Sequence, residues 1–399
     1  MNNHPLRQTA ENIAGFQLRL DAIDFLRGLV IVIMALDHSR AFFTNVTEFE
    51  PTDLSKTTAA LFMTRWITHF CAPTFVFLAG IAAYIYGSRG KTKAELSRFL
   101  LTRGLWLILL ELTFIRCLGW YMNFNYVHTR GGVIWAIGWS MIVLAGLIHL
   151  PMWVIIVFGC TLITGHNVLD SWQIESFDSL RWLWAILHVP SDIQLRPGII
   201  FFTQYPLIPW IGVMAIGYCF GTLFKSEQQA RRALFIRLGI IITALFFIVR
   251  LLNRYGDPVQ WTMQKNILFT FFSILNCEKY PPSLAFLLMT LGPAIIALGI
   301  FERDWSGWTN PFIIFGRVPM FFYLLHLPLL RVGVIAEAVA KYGTKVFSLA
   351  TDKAPPSWGH DLPMIYLIWL AVILMLYPVC RWFAEYKQRN RDVWWLSYL

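Results

Sequence analysis

Long apolar segments recur along the whole chain of 399 residues, and the connections between most of them are short. A helix needs about 20 mostly apolar residues to cross a bilayer. Because the bilayer core holds no water for backbone groups to bond, such segments cross as helices. Apolar residues form 57% of the sequence and charged residues only 14%. The sequence therefore predicts an all-α fold, a polytopic membrane helix bundle in a single integral domain.

Ten segments have the length and hydropathy of a transmembrane helix. They are residues 25–44, 62–86, 99–118, 132–149, 151–165, 201–224, 234–252, 283–301, 312–334 and 362–382. An eleventh apolar segment, residues 179–189, is too short to cross and predicts an interfacial or re-entrant helix.

Lysines and arginines indicate the orientation of the bundle, because cytoplasmic loops are enriched in them. Basic clusters precede the first span and occupy residues 89–98, 225–237 and 381–391. With ten spans, all of these clusters fall on one side. The sequence thus predicts that both termini are cytoplasmic and that the protein is a multi-pass protein of the cell membrane, which is the inner membrane in a Gram-negative cell.

The predicted organisation has three parts. Residues 1–20 form a polar cytoplasmic N-terminus, residues 21–385 the integral membrane domain, and residues 386–399 a cytoplasmic C-terminal tail. Residues 1–20 lack the apolar core of a signal peptide, so we expect the first span to act as the insertion signal.

Composition also bears on partners. The net charge of +10 is explained by basic cytoplasmic loops that lie beside membrane lipid. The sequence contains no basic module with interleaved aromatic residues, so we do not expect nucleic acid as a partner. The six cysteines are scattered without a CxxC pair or a Cys/His ligand spacing, so we expect no metal.

The first span carries ionisable residues that a bilayer disfavours, which makes a functional site the default hypothesis. Arg27 and His38 are eleven residues apart, about three helical turns, so they share a face roughly 16 Å apart along the axis. Asp24 can pair with Arg27, and Asp37 with Arg40, at the i,i+3 spacing. A cation near the cytoplasm suits phosphates, and an imidazole three turns further suits proton abstraction.

Other polar residues lie at a similar predicted depth. These are His69, Glu111, Arg116 and His326, with Lys279 and Tyr280 just before the eighth span. Several of these ionisable residues, including those of the first span, can also have a purely structural role. Asp37 and Arg40 can be an interfacial ion pair, Arg27 can be a positive-inside anchor, and His326 can serve the carbonyl that Pro328 leaves free.

Five blocks of sequence resemble a known family in the same order. They are RLDAIDFLRGLVIVIMALDH (19–38), HFCAPTFVFLAGIAAY (69–84), QYPLIPWIGVMAIGYCFG (204–221), KYPPSLAFLLMTLGP (279–293) and FGRVPMFFYLLHLPLL (315–330). The opening block resembles transmembrane acyltransferases, including the acyltransferase-3 group. The set is most similar to the heparan-alpha-glucosaminide N-acetyltransferase catalytic-domain family.

This resemblance implies an enzyme that takes an acetyl group from cytoplasmic acetyl-CoA, used as a co-substrate, and delivers it to a sugar or glycan on the other face. Asp24 and Arg27 match the D-x-x-R-G opening, and His38 matches the histidine that ends the first span of related acyltransferases. The later blocks contain Lys279, Tyr280, Ser283, Arg317 and His326. Residues 45–61 hold no histidine where the family scheme has a catalytic one, which leaves His38, His69 or His326 for that role.

The sequence-based hypothesis is an acyl-CoA-dependent acyltransferase. In it His38 is the general base, Asp37 orients it, and His326 is a further catalytic residue, with an acyl-histidine route through His326 or His69 left open. Arg27 and Arg317 hold the CoA phosphates. The acceptor is contacted by Arg40, His69, Lys279, Tyr280 and Ser283.

Two other classes stay open at this point. A transporter or exporter of a small anion or lipid-linked sugar also carries intramembrane charges, and a membrane scaffold or sensor has no turnover. The acceptor, the acyl chain and the oligomeric state, with a homodimer among the options, are not determined by the sequence.

Overall fold

The computed structural model describes residues 4–172, 179–302, 307, 310–344, 358–390 and 392–398. Its α-helices are α1 (His4–Phe43), α2 (Ala59–Ile67), α3 (Cys71–Gly87), α4 (Lys93–Leu110), α5 (Val133–Leu147), α6 (Met152–Gly165), α7 (Arg181–Leu187), α8 (Leu207–Phe220), α9 (Gln228–Leu252), α10 (Ile267–Leu275), α11 (Leu284–Phe301), α12 (Asn310–Arg317), α13 (Pro319–Tyr342) and α14 (Leu362–Arg389).

The predicted helical membrane bundle is confirmed in its coarse form. Within the described residues, seven helical segments are long and apolar enough to cross a membrane. They are Ala59–Gly87, Met152–Ser171, Leu207–Lys225, Gln228–Leu252, Leu284–Phe301, Pro319–Tyr342 and Leu362–Arg389. The apolar α5 is shorter. The number of ten membrane crossings and the cytoplasmic location of both termini stay predictions.

Two further helices have the length but carry more charge. One is α1, with Asp24, Arg27, Asp37 and Arg40 in its apolar part. The other is α4, which continues as a π-helix over Glu111–Trp120. The π-helical segment widens the turn where Glu111 and Arg116 are buried. Insertions of this kind are frequent at functional sites.

A small sheet was not predicted and corrects the all-α expectation. Its strands are β1 (His128–Arg130), β2 (Asp192–Arg196) and β3 (Ile199–Phe202). Strand β3 lies in the centre, parallel to β1 and antiparallel to β2. The β2–β3 turn uses Gly198 at φ +80°, a conformation that favours glycine. The predicted span 201–224 therefore begins within β3, and its helix starts only after Pro206.

Two short helices lie in connections between the longer ones. Helix α7 falls within residues 179–189, so the short helix predicted there is present, although its depth in a membrane is not tested. Helix α10 lies in the predicted loop 253–282 and was missed, because nine residues are too few for a hydropathy window.

We call the end of the bundle with the three strands the sheet end, and the end with the turns at residues 88–92 and 226–227 the basic end. Helix α1 runs between the two ends and packs closely on α12. A Cβ on Gly28 would lie 1.8 Å from the Phe312 carbonyl oxygen, and one on Gly316 would lie 1.7 Å from the Asp24 carbonyl oxygen. These two glycines fix the distance between α1 and α12, so a larger residue at either position would push the helices apart.

Candidate active site

Two histidines that are 288 residues apart in sequence meet in the centre of the bundle. His38 Nδ1 lies 2.7 Å from His326 Nε2, and the rings stack with their centroids 5.0 Å apart. Helix α1 supplies His38 and α13 supplies His326. The ring of Trp120 meets His38 edge to face at 5.2 Å, which holds the imidazole from a third side.

Their hydrogen bonds determine which nitrogen of each ring carries a proton. His326 Nδ1 lies 3.0 Å from the Phe322 carbonyl oxygen, which can only accept. In a neutral His326 the proton is therefore on Nδ1 and Nε2 is an acceptor. His38 Nδ1 must then donate to it. The lone pair of His38 Nε2 stays available, and among the described contacts no hydrogen bond occupies it.

The carboxylate of Asp37 is held by two arginines. Arg65 Nη1 donates to both Asp37 oxygens, at 2.9 and 2.7 Å, and Arg40 Nη2 donates to Oδ1 at 3.0 Å. The predicted i,i+3 pairing of Asp37 with Arg40 is confirmed. The structure places His326, and not Asp37, within hydrogen-bond distance of His38 Nδ1, while the described contacts of the Asp37 oxygens are with guanidinium groups. The role of Asp37 as orienter of His38 stays a prediction.

Arg65 is a site residue that the sequence analysis passed over. It lies on α2 inside a predicted span, four residues before His69, and this i,i+4 pair of ionisable residues was a usable signal.

A polar cavity of about 700 Å³ opens over His38 at the sheet end. We call it the sheet-end cavity. Its lining includes nine acidic or basic side chains besides histidine: Asp37, Arg40, Glu50, Arg65, Glu111, Arg130, Glu278, Lys279 and Arg331. So many charges in one enclosed space are costly without a polar occupant, which supports a site rather than a packing defect.

Four of the five predicted acceptor residues line this cavity, namely Arg40, His69, Lys279 and Tyr280. His69 lies in the 3₁₀ turn between α2 and α3, and its buried Nδ1 has no hydrogen-bond partner among the residues that the structure describes. Ser283 is different. Its hydroxyl caps α11 by accepting from the Phe286 N–H and donates to Asp257 Oδ2 at 2.7 Å, and the residue is fully buried outside the cavity lining.

Two groups in the loop before α11 have perturbed acidity. Burial works to raise the pKa of Tyr280, but the nearby Lys279 and Arg65 cations hold it below its ordinary value. For the neighbouring Glu278, burial raises the pKa, although its Oε1 accepts from the Lys279 and Tyr280 N–H groups. The phenol of Tyr280 is thus a better proton donor than an ordinary tyrosine.

A second cavity, of about 350 Å³, lies toward the basic end, and we call it the basic-end cavity. Its walls are mostly apolar, with Met34, Phe75 and Ile137 among them. Three arginines also line it, namely Arg27, Arg89 and Arg103. Arg89 and Arg103 were not singled out from sequence, because each looked like an ordinary positive-inside residue.

The two predicted phosphate ligands are placed differently. Arg27 lines the basic-end cavity, pairs with Asp24 at 3.3 Å as predicted, and donates to the Gly316 carbonyl. Arg317 does not line it. Its guanidinium pairs with Asp21 at 2.9 Å and lies 3.7 Å from Asp24, with 40% of the side chain exposed. The structure thus brings Arg27 to the cavity and leaves Arg317 at its rim.

The two cavities share a wall. Val133 and Tyr323 line both of them, and the ring of Tyr323 is 6.1 Å from that of His38. The histidine pair therefore stands where the two cavities come closest. A donor from one end and an acceptor from the other can meet there.

Comparison with known proteins gives an independent identification. The family model for heparan-alpha-glucosaminide N-acetyltransferase, catalytic, matches residues 19–254. That range is more than half of the chain and includes Arg27, His38 and Arg65, whereas His326 lies beyond it. A comparison with curated proteins finds no match. The chain therefore belongs to the heparan-alpha-glucosaminide N-acetyltransferase catalytic family, which identifies it as an acetyltransferase within a helical membrane bundle.

Proposed function

We propose that the protein transfers an acetyl group from acetyl-CoA, bound at the basic end, to a hydroxyl or amine of a sugar or glycan at the sheet end. The observation that carries this proposal is the His38–His326 pair at the shared wall of the two cavities. Membership of an acetyltransferase family supports the reaction type.

The donor binds in the basic-end cavity. Arg27, Arg89 and Arg103 supply the positive charge that nucleotide phosphates require, and the apolar walls accept an extended thioester arm. Arg27 and His38 are eleven residues apart on α1, roughly 16 Å along the axis, which matches the reach of such an arm. Arg317 contributes positive charge at the rim.

The acceptor binds in the sheet-end cavity, where His69, Lys279 and Tyr280 offer hydrogen bonds to a sugar. Asp37 holds the guanidinium groups of Arg40 and Arg65 beside His38. We assign oxyanion stabilisation to this cationic group, with Arg40 or Lys279 closest to the role, because preformed donors are most effective where charge develops. Ser283 supports the Lys279 loop from beneath.

The reaction needs no covalent enzyme intermediate. His38 Nε2 accepts the proton of the acceptor as its oxygen or nitrogen attacks the thioester carbonyl. The carbon–sulfur bond then breaks, and the departing thiolate takes the proton back from His38. Throughout, His38 Nδ1–H donates to His326 Nε2, so one hydrogen bond serves both the neutral and the protonated imidazole. An acyl-histidine route through His326 is disfavoured by this geometry, because both its nitrogens are engaged.

This mechanism implies an orientation. The basic end faces the cytoplasm, where acyl-CoA is found, and the sheet end faces the opposite side with its glycan acceptor. Both termini are then cytoplasmic, and the protein works in the cell membrane.

The decisive test is acetyl transfer by purified protein in detergent, with labelled acetyl-CoA and a panel of amino sugars and glycans. We expect His38→Ala to lower turnover by about 10²- to 10⁴-fold, the range for loss of a general base. His149→Ala, at an exposed turn, is the matched control and should keep wild-type turnover. Substrate transport into vesicles without consumption of acetyl-CoA would instead identify a transporter.

A further inference from the structure

The wall between the cavities is made by few side chains. Tyr323 and Val133 are the residues that line both cavities in the described part of the chain. Tyr323 lies one turn before His326 on α13, and Val133 is the first residue of α5. A group that moves from the basic-end cavity to His38 must therefore pass the ring of Tyr323.

The Tyr323 ring is held in place by its neighbours. Only 5% of the residue is exposed, and its ring meets His38 and His326 edge to face, at 6.1 and 5.3 Å between centroids. Side chains packed in this way do not yield freely to a larger neighbour. On the basic-end side, Met34, Ile134 and Ile137 line the cavity together with Tyr323, so a group that reaches the ring from this side meets apolar surface.

An apolar slot of fixed length distinguishes its occupants by size. One methylene too many or too few in such a pocket changes kcat/KM by about 10- to 200-fold. For a thioester whose carbonyl must reach His38, the carbons beyond the carbonyl have to fit beside Tyr323. An acetyl group adds a single methyl there, and a butyryl group adds three carbons.

We propose that Tyr323 sets the length of the acyl group that the protein transfers, admitting acetyl and excluding longer chains. This inference rests on the proposed function and adds its donor specificity. Tyr323 acts through the volume of its ring and not through its hydroxyl, and Val133 completes the constriction from α5.

The test is the ratio of kcat/KM for butyryl-CoA to that for acetyl-CoA. Tyr323→Ala should raise this ratio tenfold or more, even where overall turnover falls. Tyr323→Phe, which keeps the ring, should keep the wild-type ratio. Val133→Ala should raise it by a smaller factor, and this variant serves the purpose if Tyr323→Ala does not fold.

The matched control is Tyr86→Ala, the same substitution at a residue that lines the basic-end cavity away from the shared wall. It should leave the ratio within about twofold of wild type. An active Tyr323→Ala or Val133→Ala protein with an unchanged ratio would overturn the specificity assignment alone. A wild-type protein that transfers no acyl group from any acyl-CoA would overturn both this assignment and the proposed function.

Discussion

Two pairs of neighbouring buried histidines lie in the described part of the chain, and they differ in their access to the two cavities described above. His38 and His326 share a 2.7 Å hydrogen bond, and His38 lines the sheet-end cavity. His166 and His188 lie nearby in the fold with ring centroids 6.0 Å apart, but both are almost fully buried and neither lines the two cavities described here. Burial alone therefore does not identify a functional histidine in this protein.

The hydrogen bonds of the two pairs explain the difference. His166 Nδ1 donates to the carbonyl oxygens of Leu162 and Ile163, and His188 Nε2 donates to Asp170 Oδ1 at 2.9 Å. The Leu162 and Ile163 bonds hold His166 on its own helix, and the Asp170 bond joins the segment after α6 to the segment after α7. In the central pair, His326 is likewise fixed by its own helix, but its partner His38 lines the sheet-end cavity, and no hydrogen bond among the described contacts occupies its Nε2. We therefore propose a chemical role for the central pair and a structural role for the other pair.

Truncation of one member of each pair tests the two assignments most strongly. His326→Ala should lower kcat about 10- to 100-fold, because His38 loses the acceptor that fixes its tautomer, while the KM for acetyl-CoA should change less than threefold. The measurement is steady-state transfer of labelled acetyl groups. His326→Gln, whose amide oxygen can accept from His38 Nδ1, should recover part of the loss.

His188→Ala is the counterpart and should keep kcat within twofold of wild type. It removes the donor to Asp170 Oδ1 and leaves the Asn167 donor to Oδ2 in place, so we expect a loss of about 1–3 kcal/mol in the free energy of unfolding, seen as a lower melting temperature in detergent. A catalytic defect in a folded His188→Ala protein would contradict the assignment.

Two arginines extend the same comparison to the basic end. Arg27 lines the basic-end cavity, and Arg317 is 40% exposed at its rim. Arg27→Ala should raise the KM for acetyl-CoA about tenfold with little change in kcat, as expected when a phosphate contact is lost in ground and transition states alike. Arg317→Ala should raise it less than threefold. Equal effects of the two substitutions would show that lining the cavity is not what matters for donor binding.

The smallest expected effect concerns a carboxylate of the sheet-end cavity. Burial raises the pKa of Glu278 in the folded protein above the value of about 4.3 that a glutamate has in the unfolded chain. The protonated group therefore contributes its full share to stability below a pH of about 4.3, and this contribution is lost as the pH rises through the folded-state pKa. Glu278→Gln cannot ionise. Its melting temperature should therefore fall less than that of wild type as the pH is raised from about 4 upward, and parallel curves would argue against a raised pKa.

Hydropathy was sufficient to predict the long helices, and local spacing predicted the Asp24–Arg27 and Asp37–Arg40 pairs, because both depend on residues a turn or two apart. The sequence also directed attention to His38, His69 and His326 by their depth. It could not predict that His38 bonds to His326 rather than to Asp37, since that contact depends on how α13 packs on α1.

Other features of the structure could not be predicted because their sequence signals are too short or too ordinary. The three strands are at most five residues long and lie in connections, so they leave no periodic signal. Arg89 and Arg103 looked like ordinary basic residues, and only the fold shows that they line a cavity. Arg65 had a local signal in its spacing to His69, but its contact with Asp37 depends on how α2 packs on α1. Ser283 resembled a binding residue because it stands beside Lys279 and Tyr280, yet its hydroxyl caps a helix.

The central claim is that His326 holds His38 in the tautomer whose Nε2 lone pair faces the substrates. Nitrogen-15 NMR of histidine-labelled protein near neutral pH, with His38 assigned by comparison with His38→Ala, tests this directly. We expect a protonated Nδ1 and an unprotonated Nε2 on His38, and a mixture of tautomers in His326→Ala. A proton on Nε2 with the lone pair on Nδ1 in the wild-type protein would contradict the mechanism.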